Sequence, residues 1–372
     1  MRANSMLCVA LGFLLVSNAL RAEQYSFDSD AWQVRAQEAS VVDYLGQRAL
    51  LLQGGAATLK DVDMANGVIE FDIAVSPQRG FAGGRFRVVD PDNFEHFYIR
   101  PHQSGNQDAN QYNPVFNGLS AWQLYHGEGY GTPVAYRFNE WMHIKIVYSG
   151  MHADIYVDSD TPSIRVRDLK RPYASGGVGV DASNLAPAYF TNFAVSALPG
   201  DYEFALKAVE PEDRHAETVM SWSVSDAFDG GGLEGVHRLG ANLKTGRQWT
   251  TLAAGPRGIT NLARIQGVSQ EKNTAFARLT VTSDNKQLKG LSLGYSDAIA
   301  VFANDTLLYS GSNGYMSRDY RYLGTIGLFD KVYLPLEAGE NEIWFAVTEA
   351  FGGWGIMAHF DDLEGISLRQ PE

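Results

Sequence analysis

Apolar and polar residues alternate with a period of two along most of this chain, and that pattern restricts it to β structure. In Val68-Ile69-Glu70-Phe71-Asp72-Ile73-Ala74-Val75 the odd positions are large and apolar. This is the pattern of a strand with one buried face. Phe94 to Arg100 alternates in the same way and puts His96, Tyr98 and Arg100 on one face. Met142, Ile144, Ile146 and Tyr148 line one face of a further strand, and Ala153, Ile155 and Val157 resume the pattern after Ser149-Gly150. Glycine supplies the positive φ that such a hairpin turn needs. Tyr189 to Val195 is one more strand.

The second half repeats the habit. Phe276 to Thr282 alternates, Ile299 to Phe302 and Leu307 to Tyr309 flank a turn at Ala303-Asn304-Asp305-Thr306, and Ile343, Phe345 and Val347 share a face. Many short strands joined by Gly, Asn and Asp turns imply an all-β chain of two antiparallel β-sandwich (jelly-roll) domains. Leu198-Pro199-Gly200 interrupts the pattern. Tyr202 to Glu217 is the best helical candidate, although Pro211 limits it to about two turns. The expected division is a leader over 1–22, a first sandwich over 23–198, a linker over 199–225 and a second sandwich over 226–372.

The leader reading rests on Arg2, on the apolar run Leu7 to Val16, and on a cleavage point after Ala22. The run is too short to span a bilayer comfortably and has the layout of a secretory signal peptide. Export to a periplasmic or extracellular space follows as an expectation. The one cysteine, Cys8, falls inside this leader, so a disulfide scaffold is excluded. With 45% hydrophobic and 12% aromatic residues the chain has enough apolar material for a core, which excludes disorder. Its net charge of −13 makes nucleic acid and anionic membranes poor partners. Neutral polymers carry no such penalty.

Few segments have the spacing of a known catalytic or metal motif. Gly290-Leu291-Ser292-Leu293-Gly294 fits G-x-S-x-G. That motif needs a strand, a sharp turn and a helix, whereas Leu291 and Leu293 alternate with Ser292 as in a strand. Glu70 and Asp72 form a carboxylate pair on the polar face of one strand, and a solvated strand face is the favoured explanation of them. His126-Gly127-Glu128 offers an acid or base. Asp72, His126 and Glu128 are therefore the catalytic candidates. Asp90, Asp92, Asp158 and Asp160 offer hard oxygen ligands suited to calcium, without the complete spacing of a calcium loop. Asx turns account for the same residues.

The segment Tyr98 to Tyr130 is richest in binding chemistry. Arg100, His102, Gln111, Trp122, Tyr125, His126 and Tyr130 mix planar polar groups with aromatic rings. Sugar recognition uses those parts, because a ring stacks on the apolar face of a pyranose while planar side chains hydrogen-bond its hydroxyls. A loop packed by its own aromatics is the alternative. Tyr315 and Trp354, the latter among glycines 352, 353 and 355, are the second-half candidates.

Several of these segments carry a family resemblance. Gly67 to Asp72, Phe86 to Asp90, Asn93-Phe94-Glu95, Phe97 to His102, Glu140 to Lys145 and Ala153 to Asp158 resemble the concanavalin A-like lectin/glucanase superfamily. They look closest to its laminin-G-like and 3-keto-disaccharide hydrolase-type domains. That resemblance implies two antiparallel sheets with a concave face, in a group that includes lectins, hydrolases and inert modules. Laminarinase-type members carry a further glutamate three residues after the aspartate, where this chain has Val75. The region from about 270 to 370 resembles a galactose-binding-like jelly roll through Gly294 to Asp297, Val301 to Asp305 and Leu336 to Trp344. The expected function is recognition of a neutral glycan by an exported protein. A glycoside-cleaving enzyme and a structural or adhesive envelope protein are the alternatives.

Overall fold

The structure, a computed structural model, describes residues 22–204 and 215–369. The leader with Cys8, and most of the helical candidate Tyr202 to Glu217, lie outside the described residues. All strand pairing among the described residues is antiparallel, and the one α-helix there is a single turn, Ala241–Lys244. Strands between Glu23 and Ser196 form one sheet of 13. Strands between Ser221 and Arg369 form a sheet of seven and a sheet of four. The G-x-S-x-G match lies inside the strand Gln287–Ser296.

One long strand lets the first sheet fold over on itself. In Gln47–Leu59, residues Leu50 to Leu52 pair with the strand Ala188–Ser196, whereas Gly55 to Thr58 pair with Gly177–Ala182. The change of partner falls at Gly54, whose φ of +66° is open to glycine at no steric cost. The strand thus serves both layers of the sandwich. Ile69, Phe71 and Ile73 of Gly67–Val75 are wholly buried between them, as the alternation requires. The facing strand Ala82–Asp90 comes so close that a Cβ on Gly84 would sit 2.9 Å from the Phe71 ring.

This core also encloses a carboxyl group. Glu95 is fully buried and accepts hydrogen bonds from the Tyr112 hydroxyl (2.7 Å) and the Arg171 backbone N–H (3.2 Å). The same tyrosine oxygen accepts from the Lys170 N–H at 2.8 Å. Burial pushes the Glu95 carboxyl up, against the opposing hydrogen bonds. Glu95 thereby ties the segment around Lys170 to the strands Asn93–Ile99 and Asn110–Phe116. Glu95→Ala would strand the Arg171 and Tyr112 donors in the interior. It is expected to lower unfolding free energy by about 3 kcal/mol, measured by chemical denaturation.

Candidate functional site

Alternation in Asn93–Ile99 creates two different faces. Phe97 and Ile99 enter the core with Glu95. Phe94, His96 and Tyr98 point the other way, opposite Val115, Asn113 and Gln111 of Asn110–Phe116. Arg85 lies beside His96 on the neighbouring strand, and Asp181 comes from the strand beyond. This outer face is the floor of a cleft with a volume near 580 Å³. Loops of the second half, carrying Tyr315, Leu323 and Ala350 to Gly352, form its opposite wall.

The charges on the floor are paired within the protein. Asp181 accepts from Arg85 Nε at 2.9 Å and meets His96 Nε2 at 2.9 Å. Burial raises the Asp181 carboxyl, but the charges and hydrogen bonds of His96 and Arg85 outweigh it and hold the group well below the usual range. Arg85 also stacks over the Phe94 ring at 4.1 Å. Arg100 is 4% exposed and donates to the Tyr98 hydroxyl (2.8 Å), to Gln111 Oε1 and to the Asp108 carboxylate. Gln111 completes the relay by donating from Nε2 to the carbonyls of Trp122 (2.8 Å) and Tyr125.

Aromatic rings occupy the mouth. Trp122 lies edge-on to Phe351 at 5.7 Å and to Tyr315 at 6.5 Å, and the latter two rings are 6.3 Å apart. Phe351 is 58% exposed and Tyr315 39%. These rings leave an apolar group open to solvent at the mouth.

Gln123 joins the two walls. It is fully buried; its Nε2 donates to Leu323 O (2.9 Å) and its Oε1 accepts from Ser296 Oγ (3.0 Å). Its backbone N–H donates to Gly352 O and its carbonyl accepts from Ile326 N, each at 2.9 Å. A Cβ on Gly352, where φ is +104°, would come within 2.5 Å of the Gln123 side chain. The loop beyond is held from beneath by two buried acids. Asp297 accepts from the N–H groups of Ala350 (2.9 Å) and Phe351 (2.8 Å), and Glu349 accepts from that of Gly353 (2.9 Å). Burial first, then the Asp297 charge, pushes the Glu349 carboxyl up to about 8.

The structure brings Arg100, His102, Trp122, Tyr315 and Asp92 to this cleft. Gln111 lies behind its wall as a bracket. Tyr125 is buried at the junction of the halves and packs against Tyr130 at 5.8 Å. His126 faces the Ile326 carbonyl at 3.3 Å, and Glu128 is exposed on the adjoining loop. Trp354 is not at a loop apex: it is fully buried in the second core and donates to Val347 O at 3.0 Å. Asp72 sits on the far sheet layer, sharing His143 with Glu70 (2.8 and 3.5 Å). The three catalytic candidates thus share no partner. Asp90 accepts from the N–H of Asp92, Asp158 pairs with Arg137, and Asp160 is exposed. Among the described residues no group of three or more His, Cys, Asp or Glu side chains forms a metal-binding set. Arg79, Phe81, Arg85, Asp181 and Phe351 were missed as site residues. Alternation pointed to His96, but Arg85 and Asp181 reach the floor only through pairing of distant strands.

No family model matches the sequence, and no curated protein matches it. Among solved structures, the carbohydrate-binding module CBM66 from Bacillus subtilis is 17% identical with a TM-score of 0.36, over 45% of this chain and 96% of that one. The Bacillus licheniformis beta-glucanase is 12% identical with a TM-score of 0.35, over 48% and 98%. A putative glycosyl hydrolase from Parabacteroides distasonis is 12% identical with a TM-score of 0.32, over 45% and 89%. At such identity a likeness extends to fold at most, so the chemistry of the cleft is read from its own residues.

Two titrations check this description. Hydrogen bonds to Asp72 and Glu70 raise His143 to about 9; Asp72→Asn should bring its NMR midpoint down toward 6.5. Glu349 is protonated in the fold above the pH at which it ionises when unfolded. Its contribution is complete below pH 4.5 and is lost as pH rises toward 8. The melting temperature should fall across that window, and Glu349→Gln should flatten the fall.

Proposed function

We propose that this chain is a carbohydrate-binding protein and that its ligand lies in the cleft between the two halves. One observation carries the reading: a floor of internally paired polar side chains faces three grouped aromatic rings. Paired charges such as Arg85 with Asp181 keep fixed donors and acceptors without a net charge that a ligand must neutralise. Neutral hydroxyls suit such a floor. The rings of Trp122, Tyr315 and Phe351 supply apolar faces for sugar rings.

Binding is favoured over cleavage. Glycoside hydrolysis uses two carboxyl groups flanking the bond, roughly 5–9.5 Å apart, each free to act. Asp181 is engaged through both oxygens and Asp108 is committed to Arg100. The reading of 1–22 as a leader makes export part of the proposal. Among the described residues no helix is long and apolar enough to cross a membrane.

Affinity electrophoresis against a set of polysaccharides, followed by calorimetry with the oligosaccharide retained, is the direct test. Trp122→Ala is expected to weaken binding about tenfold or more, the loss typical of a central aromatic anchor. Phe351→Ala should act in the same direction. Retention by no polysaccharide, or an unchanged affinity in both variants, would remove the proposal.

A further inference from the structure

The two ends of the cleft differ in charge from its middle. Along the floor, Arg85 has Asp181 and Arg100 has Asp108. Where the strand Asn93–Ile99 runs into the turn Pro101–Gln103, Arg79 and His102 join the wall. Arg79 is exposed and, among the described residues, makes no ion pair or hydrogen bond. It lies near His102, whose imidazole is pushed down by burial and then by the charges of Arg79 and Arg100. His102 Nδ1 is buried without a partner. This end therefore carries one uncompensated guanidinium and one unmet hydrogen-bonding atom. At the other end, past the start of the same strand, the exposed Asp92 lines the cleft. A strand of seven residues separates the ends by about 20 Å.

We propose that the ligand is a glycan bearing a single carboxylate sugar, a uronic acid, at the Arg79–His102 end, with a neutral body along the floor. The proposal rests on the carbohydrate reading above. A guanidinium offers two parallel N–H donors that match the two oxygens of a carboxylate. The chain's net charge of −13 does not forbid this. Screening at physiological salt confines charge effects to about 8 Å, so the nearest groups decide. The same reasoning excludes a polyuronate. Its later carboxylates would lie over the already neutralised floor and then beside Asp92, where they are repelled.

Calorimetry with three probes tests this: neutral oligosaccharides, their counterparts ending in one glucuronate, and an oligogalacturonate. The expected result is about tenfold tighter binding of the singly acidic form than of its neutral counterpart, with the preference shrinking in 0.5 M salt, roughly the regime of a few-ångström screening length. Arg79→Gln should bring the acidic form down to the affinity of the neutral one, while Trp122→Ala weakens both. Equal binding of neutral and acidic forms, a preference that survives Arg79→Gln, or tightest binding of the oligogalacturonate would overturn the inference and leave the carbohydrate reading standing. Binding of no sugar at all would overturn both.

Discussion

The cleft depends on one buried amide. Gln123 places all four of its hydrogen-bonding groups against the second half, through Leu323, Ser296, Gly352 and Ile326. Apolar packing between two β layers tolerates sliding, because dispersion contacts are weakly directional. Four hydrogen bonds in a dry site do not, since any shift leaves a buried polar group unpaired. A leucine of similar size would take the Nε2 donor from the Leu323 carbonyl and leave the Ser296 hydroxyl only its longer contact with Asp297 Oδ1 at 3.4 Å. The socket is also shaped by absence of side chains: a Cβ on Gly324 would come within 2.2 Å of Gln123 Nε2. Register between the walls is thereby fixed, and with it the distance between the polar floor and the aromatic mouth.

Carboxylates do three different jobs around this frame, and burial with its partners decides which. Asp181 stays ionised because its charge and hydrogen-bond interactions with His96 and Arg85 outweigh its desolvation. Glu349, equally enclosed, has only an N–H donor and a neighbouring carboxyl, so it holds its proton well above neutrality's acidic side. That proton lets Asp297 grip the backbone of Ala350 and Phe351 without a like charge alongside. Asp72 and Glu70 are partly exposed and share His143, which they hold charged near the surface. The same residue types therefore build a charged floor, a neutral roof support and a solvated outer patch.

The sequence made the strands legible because period-two burial is a local property. The alternation of Gly67–Val75 reappears in the burial of Ile69, Phe71 and Ile73 with Glu70 and Asp72 only partly covered, and that of Asn93–Ile99 reappears in which face each side chain takes. The turn at Asn304-Asp305 was readable for a similar reason, since both residues adopt positive φ. Arg100, His102 and Trp122 stand out as polar and aromatic side chains in the connections that follow two strands, and they line the cleft. Arg85 and Asp181 are 96 positions apart, and no local pattern links residues that meet only through the order of strands in a sheet. Trp354 shows the opposite failure. Its flanking glycines resemble a loop apex, yet their lack of side chains lets neighbours close over the ring: a Cβ on Gly353 would meet Leu124 at 2.9 Å.

Desolvation explains why unpaired charge occurs only at the rim. A ligand entering the cleft strips water from the floor, and an isolated guanidinium there would lose its hydration with no fixed counter-charge. Arg100, at 4% exposure, avoids this through Asp108, Tyr98 and Gln111 whether or not a ligand is present. Removing its last contact with water therefore costs little more than the folded chain has already spent. Arg79 is exposed, keeps its hydration when the cleft is empty, and can exchange that water for a ligand's carboxylate. Buried guanidinium pairs thus serve shape and hydrogen bonding, and the solvated one at the end is the charge left for discrimination.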